Sequence, residues 1–418
     1  MRFLWFTHTP AAASAEFGYT HAGAGWITSL QQLVTGKTDH TLGICFFYDG
    51  FEYKKITIDR VDYFGMPIKK GNALTRLLNR HGNRLNDEDD TYIEQVIREF
   101  NPDIIQVFGT EVGYGKILPT IHQKTIFHIQ GILTPITESF FPRGITKNKT
   151  IFKDRLTDLA RGISIYHLYK WFTNRINREQ EIVKKWRYFM GRTDWDRNYI
   201  EMLNPSATYF HCEELLRRAF YENTWQKQNK NPSDKTFVLT STINPNMYKG
   251  LDLIYRTLPL LEGKSIQWNI LGIKEDSSLN KAIQRILKIK KTPAELIFHG
   301  SVGETELIDV LKQSDVFVHP SYIDNSPNSV CEAMLLSMPV IASSVGGVPS
   351  LITHKESGIL FNPYDRFDLA GWIHHLMRFP EKGIEYGQTA REIAQERHNP
   401  DKILKNLLEI YSSVIQKS

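Results

Sequence analysis

The feature that most constrains this 418-residue chain is a pattern that runs through it twice: short runs apolar at nearly every position, separated by stretches with helical periodicity. In the second half the runs are TFVLTST (236–242), IQWNILG (266–272), LIFHGSV (296–302), DVFVHPS (315–321), PVIASS (339–344) and GILF (358–361). Such runs suit parallel strands covered on both faces, because an exposed face would require alternation. Between them lie GLDLIYRTLPLL, LNKAIQRILKI, ETELIDVLKQ and VCEAMLLS, so the order is strand, helix, strand, which makes βαβ units with right-handed crossovers. The first half carries the same pattern at 2–7, 40–48, 103–109, 125–131, 186–192 and 208–212, with a helix over 26–34. The polar stretch QKQNKNPSDK (226–235) separates the halves. The expected architecture is therefore α/β, with doubly wound parallel-sheet domains at 1–230 and 231–398. A terminal helix follows at 399–418, with Asn399 as its N-cap and Pro400 at its first helical position. Ligands of such sheets bind beyond the carboxyl ends of the strands, and with two sheets the expected site is the cleft between them.

Composition removes several alternatives. Cys45, Cys212 and Cys331 are the only cysteines, too few and too scattered for a disulfide framework or a thiolate zinc site. The N-terminal apolar run is too short for a signal peptide, and no stretch approaches the roughly 18 apolar residues that would span a bilayer, so a cytoplasmic location is expected. The net charge of +5 arises before residue 233 and is concentrated over 143–187, where Lys and Arg are interleaved with Tyr166, Tyr169, Trp171 and Phe172. A solvated basic helix, a phosphate-bearing substrate and an anionic membrane surface all fit that pattern. Nucleic acid is not expected, because the basic residues adjoin no recognisable nucleic-acid module.

The segment richest in chemistry is HPSYIDNSPNSVCEAMLLSMPVIASSVGGVPSLITHKESGILF (319–361). A strand ends at His319, a polar loop follows with Asp324, Ser326, Asn328 and Ser329, and a helix opens near Val330 with Glu332 in its first turn. Backbone N–H groups at such a helix start favour an anionic or hydroxyl-rich ligand, and Gly346-Gly347 form a turn whose backbone can approach one. The order Pro320-Ser321, Asp324, Glu332-Ala333-Met334, then Pro339 to Ser343, Gly346, Gly347 and Gly358 resembles the donor-binding signature of the retaining glycosyltransferases of family four. These have the GT-B fold of two facing Rossmann-like domains with a C-terminal helix crossing back. The resemblance implies that Glu332 holds the ribose hydroxyls of a nucleotide and that Asp324, where Glu is usual, faces the transferred sugar. It implies that Ser326, Asn328, Ser329 and Val330 contact sugar or phosphate.

A second match is INPNMYKGLDLI (243–254), in which Lys249 occupies the place of the family's phosphate-binding lysine. A fixed cation there stabilises the negative charge that builds on the departing diphosphate. The family usually places Arg five residues earlier; Asn244 stands there, and the missing charge is expected from Arg192 or from helix dipoles. In the first half HAGAGWITSL (21–30), with Gly25, resembles the glycine-rich loop that approaches the diphosphate. In HIQGIL (128–133) Gln130 stands where family members carry His, which leaves His128 or a backbone carbonyl to supply that catalytic role. The segment 191–221 resembles a bacterial polysaccharide-building branch, and within it Arg192 and Asp196 are expected on the acceptor side. Asp194-x-Asp196 could suggest a metal site, but it belongs to this same match, and no metal or cofactor is expected.

What the resemblance implies is a retaining, metal-independent transfer of a sugar from a UDP- or GDP-sugar to a polysaccharide or lipid-linked oligosaccharide, of capsule, O-antigen or exopolysaccharide type. In the family the phosphate oxygen itself accepts the proton of the incoming hydroxyl, so no protein nucleophile is needed; none is legible here. The enzyme would work in the cytoplasm, with membrane-surface contact through 143–187 at the inner face of the plasma membrane. The rivals are a non-catalytic glycosyltransferase-like subunit, favoured by Asn244 and Gln130, and a nucleotide-sugar epimerase on the same fold.

Overall fold

The computed structural model describes residues 1–19, 25–68, 91–118, 124–151, 158–159, 164–227 and 236–416. The chain divides into two compact units: unit 1 is Met1–Leu133, Asn174–Arg217 and His398–Ser418, and unit 2 is Thr134–Thr173 and Arg218–Arg397. The glycine-rich residues 21–24, the acidic run 87–90 and most of the polar stretch, 228–235, lie outside the described residues.

Unit 1 holds β1 (Arg2–Phe6), β2 (Thr41–Tyr48), β3 (Lys54–Ile58), β4 (Val61–Pro67), β5 (Ile104–Phe108), β6 (Thr125–His128), β7 (Tyr188–Gly191) and β8 (Thr208–His211), in the sheet order β3-β4-β2-β1-β5-β6-β7-β8. Every pairing is parallel except β3 with β4, an antiparallel hairpin turned by Asp59 and Arg60, both at positive φ. The strands predicted as wholly apolar are buried on both faces; Leu4, Phe6, Val107, Phe127 and Phe189 share one core.

Unit 2 holds β9 (Phe237–Thr242), β10 (Ile266–Leu271), β11 (Leu296–Gly300), β12 (Val316–His319), β13 (Val340–Ser343) and β14 (Ile359–Phe361), in the order β11-β10-β9-β12-β13-β14, all parallel. The chain leaves β9 toward β10 on one side and returns to its other side as β12. That reversal places the carboxyl ends of β9 and β12 next to each other, the position at which doubly wound sheets bind ligands.

The units do not meet the chain at the boundary expected near residue 230. Trp225 is buried and donates through Nε1 to Ser314 O at 2.7 Å, so the chain has joined unit 2 by Arg218. The aromatic residues of 134–173 also belong to unit 2: Phe140 and Phe172 set their rings 6.0 and 6.2 Å from that of Tyr248. The basic stretch 143–187 is consequently split between the units.

The terminal helix, Pro400–Gln416, returns to unit 1. Asn399 caps it, its Oδ1 accepting from the N–H groups of Asp401 and Lys402 at 3.0 and 3.1 Å, as the sequence predicted. Ile403, Leu407, Ile410 and Val414 form its buried stripe. Tyr411 is wholly buried; its hydroxyl accepts from Trp5 Nε1 at 2.9 Å and donates to Gln106 Oε1.

Candidate functional site in unit 2

At the β9/β12 reversal lies an open cavity of about 420 Å³. Its wall is built from loops leaving the carboxyl ends of four strands: Thr242 to Asn244 and Lys249 after β9, Gly272 after β10, Ser301 after β11, and His319 and Asp324 with β12. Pro327, Asn328 and Ser329 complete it at the start of the helix Asn328–Leu335, whose first turn has no side-chain cap. That helix end turns the positive pole of its dipole toward the cavity.

Lys249 and Asp324, 75 residues apart, meet here, with Nζ 2.6 Å from Oδ2. Three contacts fix the two loops against each other. Tyr322 N–H donates to Tyr248 O at 2.7 Å, and Tyr322 OH donates to Asp252 Oδ2 at 3.2 Å. Gly250, at φ +79°, packs so close to Pro320 that a Cβ would lie 2.0 Å from its carbonyl oxygen. Only glycine accepts both that backbone and that approach. Gly346 does the same for Asp324: at φ +51° a Cβ would lie 2.0 Å from Asp324 O, and Gly347 N–H donates to that oxygen at 3.1 Å. The glycine pair thus has a structural use beside its expected approach to a ligand. Its backbone clamps the loop that carries Asp324.

His319 is a site residue the sequence reading missed. It is buried, lines the cavity and places Nε2 3.1 Å from Asp324 Oδ2, within ion-pair distance but off hydrogen-bond geometry, and neither ring nitrogen has a hydrogen-bond partner among the described residues. Its only sequence signal was its place as the last residue of β12. Burial works against the Asp324 carboxylate, but the Lys249 ammonium and His319 outweigh it and hold that carboxyl well below the usual carboxylate range. Burial keeps the His319 pKa below its ordinary value in spite of Asp324, which favours the neutral imidazole.

Of the other expected donor residues, Asn244, Asn328 and Ser329 line the cavity. Ser326, Val330 and Glu332 are buried in the same loop and helix, outside the lining. The residues expected from the first half all lie in unit 1. Gly25 opens the helix Gly25–Lys37, where a Cβ would sit 3.1 Å from Arg217 Cδ. His128 ends β6, buried near Trp26 and Phe108, and burial, aided by the charge of Arg192, pushes its pKa down to about 3. Gln130 follows two residues later, its Nε2 buried with no hydrogen-bond partner among the described residues.

Arg192 pairs with Glu214 at 2.5 Å, both buried, so it already has a carboxylate partner within unit 1. Asp196 accepts Arg192 N–H at 3.2 Å and the Tyr209 hydroxyl, and its own N–H donates to Thr193 Oγ1 at 3.2 Å. Asp196 therefore closes a helix start. Among the described residues no group of three or more His, Cys, Asp or Glu is placed to hold a metal ion.

Residues 221–393, almost all of unit 2 from Arg218 onward, match the family model "Glycosyl transferases group 1". Unit 2 is thus similar to the glycosyltransferase group 1 domain. The cavity falls wholly inside this domain, and its similarity to characterised proteins is local. The sulfoquinovosyl transferase of Arabidopsis thaliana is 34% identical over 99 residues, 23% of this chain and 19% of that protein. The alpha-maltose-1-phosphate synthase of Mycolicibacterium smegmatis is 33% identical over 113 residues, 25% and 29% of the two chains. The teichuronic acid biosynthesis glycosyltransferase TuaC of Bacillus subtilis, a putative assignment, is 34% identical over 125 residues, 29% and 31%. The matched stretches thus span less than a third of these relatives.

Structural similarity runs the length of the molecule. The sucrose-phosphate synthase of Thermosynechococcus elongatus superposes with a TM-score of 0.73 over 100% of both chains at 14% identity. Anabaena HepE, solved in complex with UDP and glucose, gives 0.65 over 99% of this chain and 100% of its own at 15% identity. The fold is GT-B, as the sequence motifs implied.

Proposed function

We propose that the protein is a retaining, metal-independent glycosyltransferase that takes a nucleoside diphosphate sugar, of UDP or GDP type, in the unit 2 cavity. The observation that carries this reading is the convergence of Lys249, Asp324 and a helix N-terminus on one cavity at the sheet's reversal point, inside the glycosyltransferase domain. Lys249 would stabilise the charge that develops on the departing diphosphate, and the dipole of the helix Asn328–Leu335 would share that work where Asn244 replaces an arginine. Asp324 would hold hydroxyls of the transferred sugar, and Glu332 those of the ribose. The incoming hydroxyl would give its proton to a phosphate oxygen on the face from which the diphosphate leaves, so that no cofactor takes part. Anabaena HepE binds UDP-glucose on the same fold, which supports a nucleotide-sugar donor.

His128 would take a catalytic role, Gln130, Arg192 and Asp196 would serve the acceptor side, and the acceptor would be a polysaccharide or lipid-linked oligosaccharide of bacterial surface-glycan type. Contact with anionic headgroups belongs to the same reading, since Lys147, Lys170 and the partly exposed Trp171 lie in the 134–173 segment. Among the described residues no helix is long and apolar enough to cross a membrane.

The reading is tested by incubating the protein with UDP-glucose, UDP-N-acetylglucosamine and GDP-mannose, with and without a bacterial lipid extract, and measuring the nucleoside diphosphate released. Release from one donor, stimulated by the extract and lost in Lys249→Ala, is the expected result. Binding without release in any mixture would favour the non-catalytic subunit, and a free altered sugar formed without acceptor would favour the epimerase.

A further inference from the structure

Asp324 has two basic neighbours, and an anionic ligand competes for one of them. In the free protein Lys249 Nζ lies 2.6 Å and His319 Nε2 3.1 Å from the same oxygen, Oδ2. With Lys249 charged and the imidazole neutral, the trio sums to zero. A nucleotide sugar brings two negative charges on its diphosphate and draws on Lys249. The Asp324 carboxylate, its side chain only 17% exposed, then faces additional negative charge with its cation shared or gone. A buried carboxylate without a counter-ion is strongly unfavourable.

His319 is built to answer that change. Its side chain is 2% exposed, it ends β12 and lines the cavity, and among the described residues the charged groups facing it are Asp324 and Lys249. The neutral tautomer that suits the free site carries its hydrogen on Nε2, toward Asp324. Nδ1, without a hydrogen-bond partner among the described residues, is then the atom left to accept a proton.

Resting on the donor-site reading above, we propose that His319 is a positioning residue of this site: when a diphosphate engages Lys249, His319 takes up one solvent proton at Nδ1 and, as imidazolium, becomes the cation that holds Asp324 toward the sugar. The proton returns to solvent when the nucleoside diphosphate leaves and Lys249 closes on Asp324 again. A shorter Asp at this position needs such a fixed partner, because it has one fewer methylene with which to follow the ligand.

The test is isothermal titration of UDP-glucose and GDP-mannose into the full chain, in two buffers of different ionisation enthalpy, from about pH 6 to about pH 8. These diesters exchange no proton of their own in that range. The wild type should take up close to one proton per ligand bound, with affinity falling by up to about tenfold per pH unit. His319→Gln and His319→Asn, each checked for an unfolding midpoint near that of the wild type, should bind more weakly, take up no proton and show a flat pH profile. Binding of a nucleotide sugar to the wild type without proton uptake overturns the proposal and leaves the donor site standing, as does the same uptake in either variant. No binding by either ligand removes the donor site and this role together.

Discussion

Gly250 packs the loop after β9 directly against the Pro320 backbone, and its replacement gives a calculable outcome. At φ +79° an alanine would have to adopt the left-handed region, which costs a residue with a Cβ about 1–2 kcal/mol. Its Cβ would also meet the Pro320 carbonyl oxygen at 2.0 Å, a contact that only backbone movement relieves. Overpacking of that kind costs roughly a further 1–3 kcal/mol. Gly250→Ala should therefore destabilise unit 2 by about 2–5 kcal/mol, equivalent to about 5–15 °C in midpoint for a unit of this size. Gly371 supplies the control, being exposed inside the helix Arg366–Arg378 with open space where its Cβ would go. Gly371→Ala should gain about 0.5–1 kcal/mol, because alanine loses less conformational entropy in a helix. The assay is scanning calorimetry of the three proteins side by side. A Gly250→Ala midpoint within a degree or two of wild type would refute the claim that the β9 and β12 loops are locked by this approach.

Three further outcomes follow from unit 1 and from the ion pair. Tyr411→Phe leaves the buried Trp5 indole N–H and the Gln106 amide without their shared partner, so stability should fall by about 1–3 kcal/mol in urea unfolding. Glu179 is buried beside Glu111, and that burial and charge push its pKa from 4.5 up to about 8. Folded protein then binds a proton that unfolded chain has lost, so this group's contribution is fully present below about pH 4.5 and disappears as pH rises through about 8. Glu179→Gln should flatten that loss by up to about 1.4 kcal/mol per pH unit, read from urea midpoints across the range. Lys249→Met should cost more stability than Lys249→Met combined with Asp324→Asn, because the single change leaves a carboxylate buried without its closest cation; equal costs would deny the pair its role.

How much of this was legible in the sequence depended on where each signal is local. The strands of unit 2 were legible because each is apolar through both faces, and Asn399-Pro400 announced the terminal helix by capping chemistry alone. The hairpin of β3 and β4 escaped because Lys54–Ile58 alternates between half-buried and exposed positions and its turn is made by Asp59-Arg60, without glycine or asparagine. The unit boundary escaped because what decides it is tertiary. Trp225 reads as part of a polar tail until its indole is seen bonded to Ser314, and Phe140 and Phe172 read as first-half residues until their rings are seen against Tyr248. In the site, Lys249 and Asp324 could be named from their motifs, whereas their meeting follows from β9 lying beside β12. His319 has no motif of its own, and the partner of Gly346 is another loop's carbonyl, which no local pattern encodes.

The nucleoside diphosphate site in unit 2 is put to the test by thermal unfolding of wild type, Lys249→Ala and Glu332→Ala with UDP, GDP and their common sugar conjugates. A ligand at about 100 times its Kd stabilises a protein by roughly 2.7 kcal/mol. One nucleotide family should raise the wild-type midpoint by several degrees and move neither variant. Stabilisation that persists undiminished in both variants, or none by any nucleotide in the wild type, would contradict it.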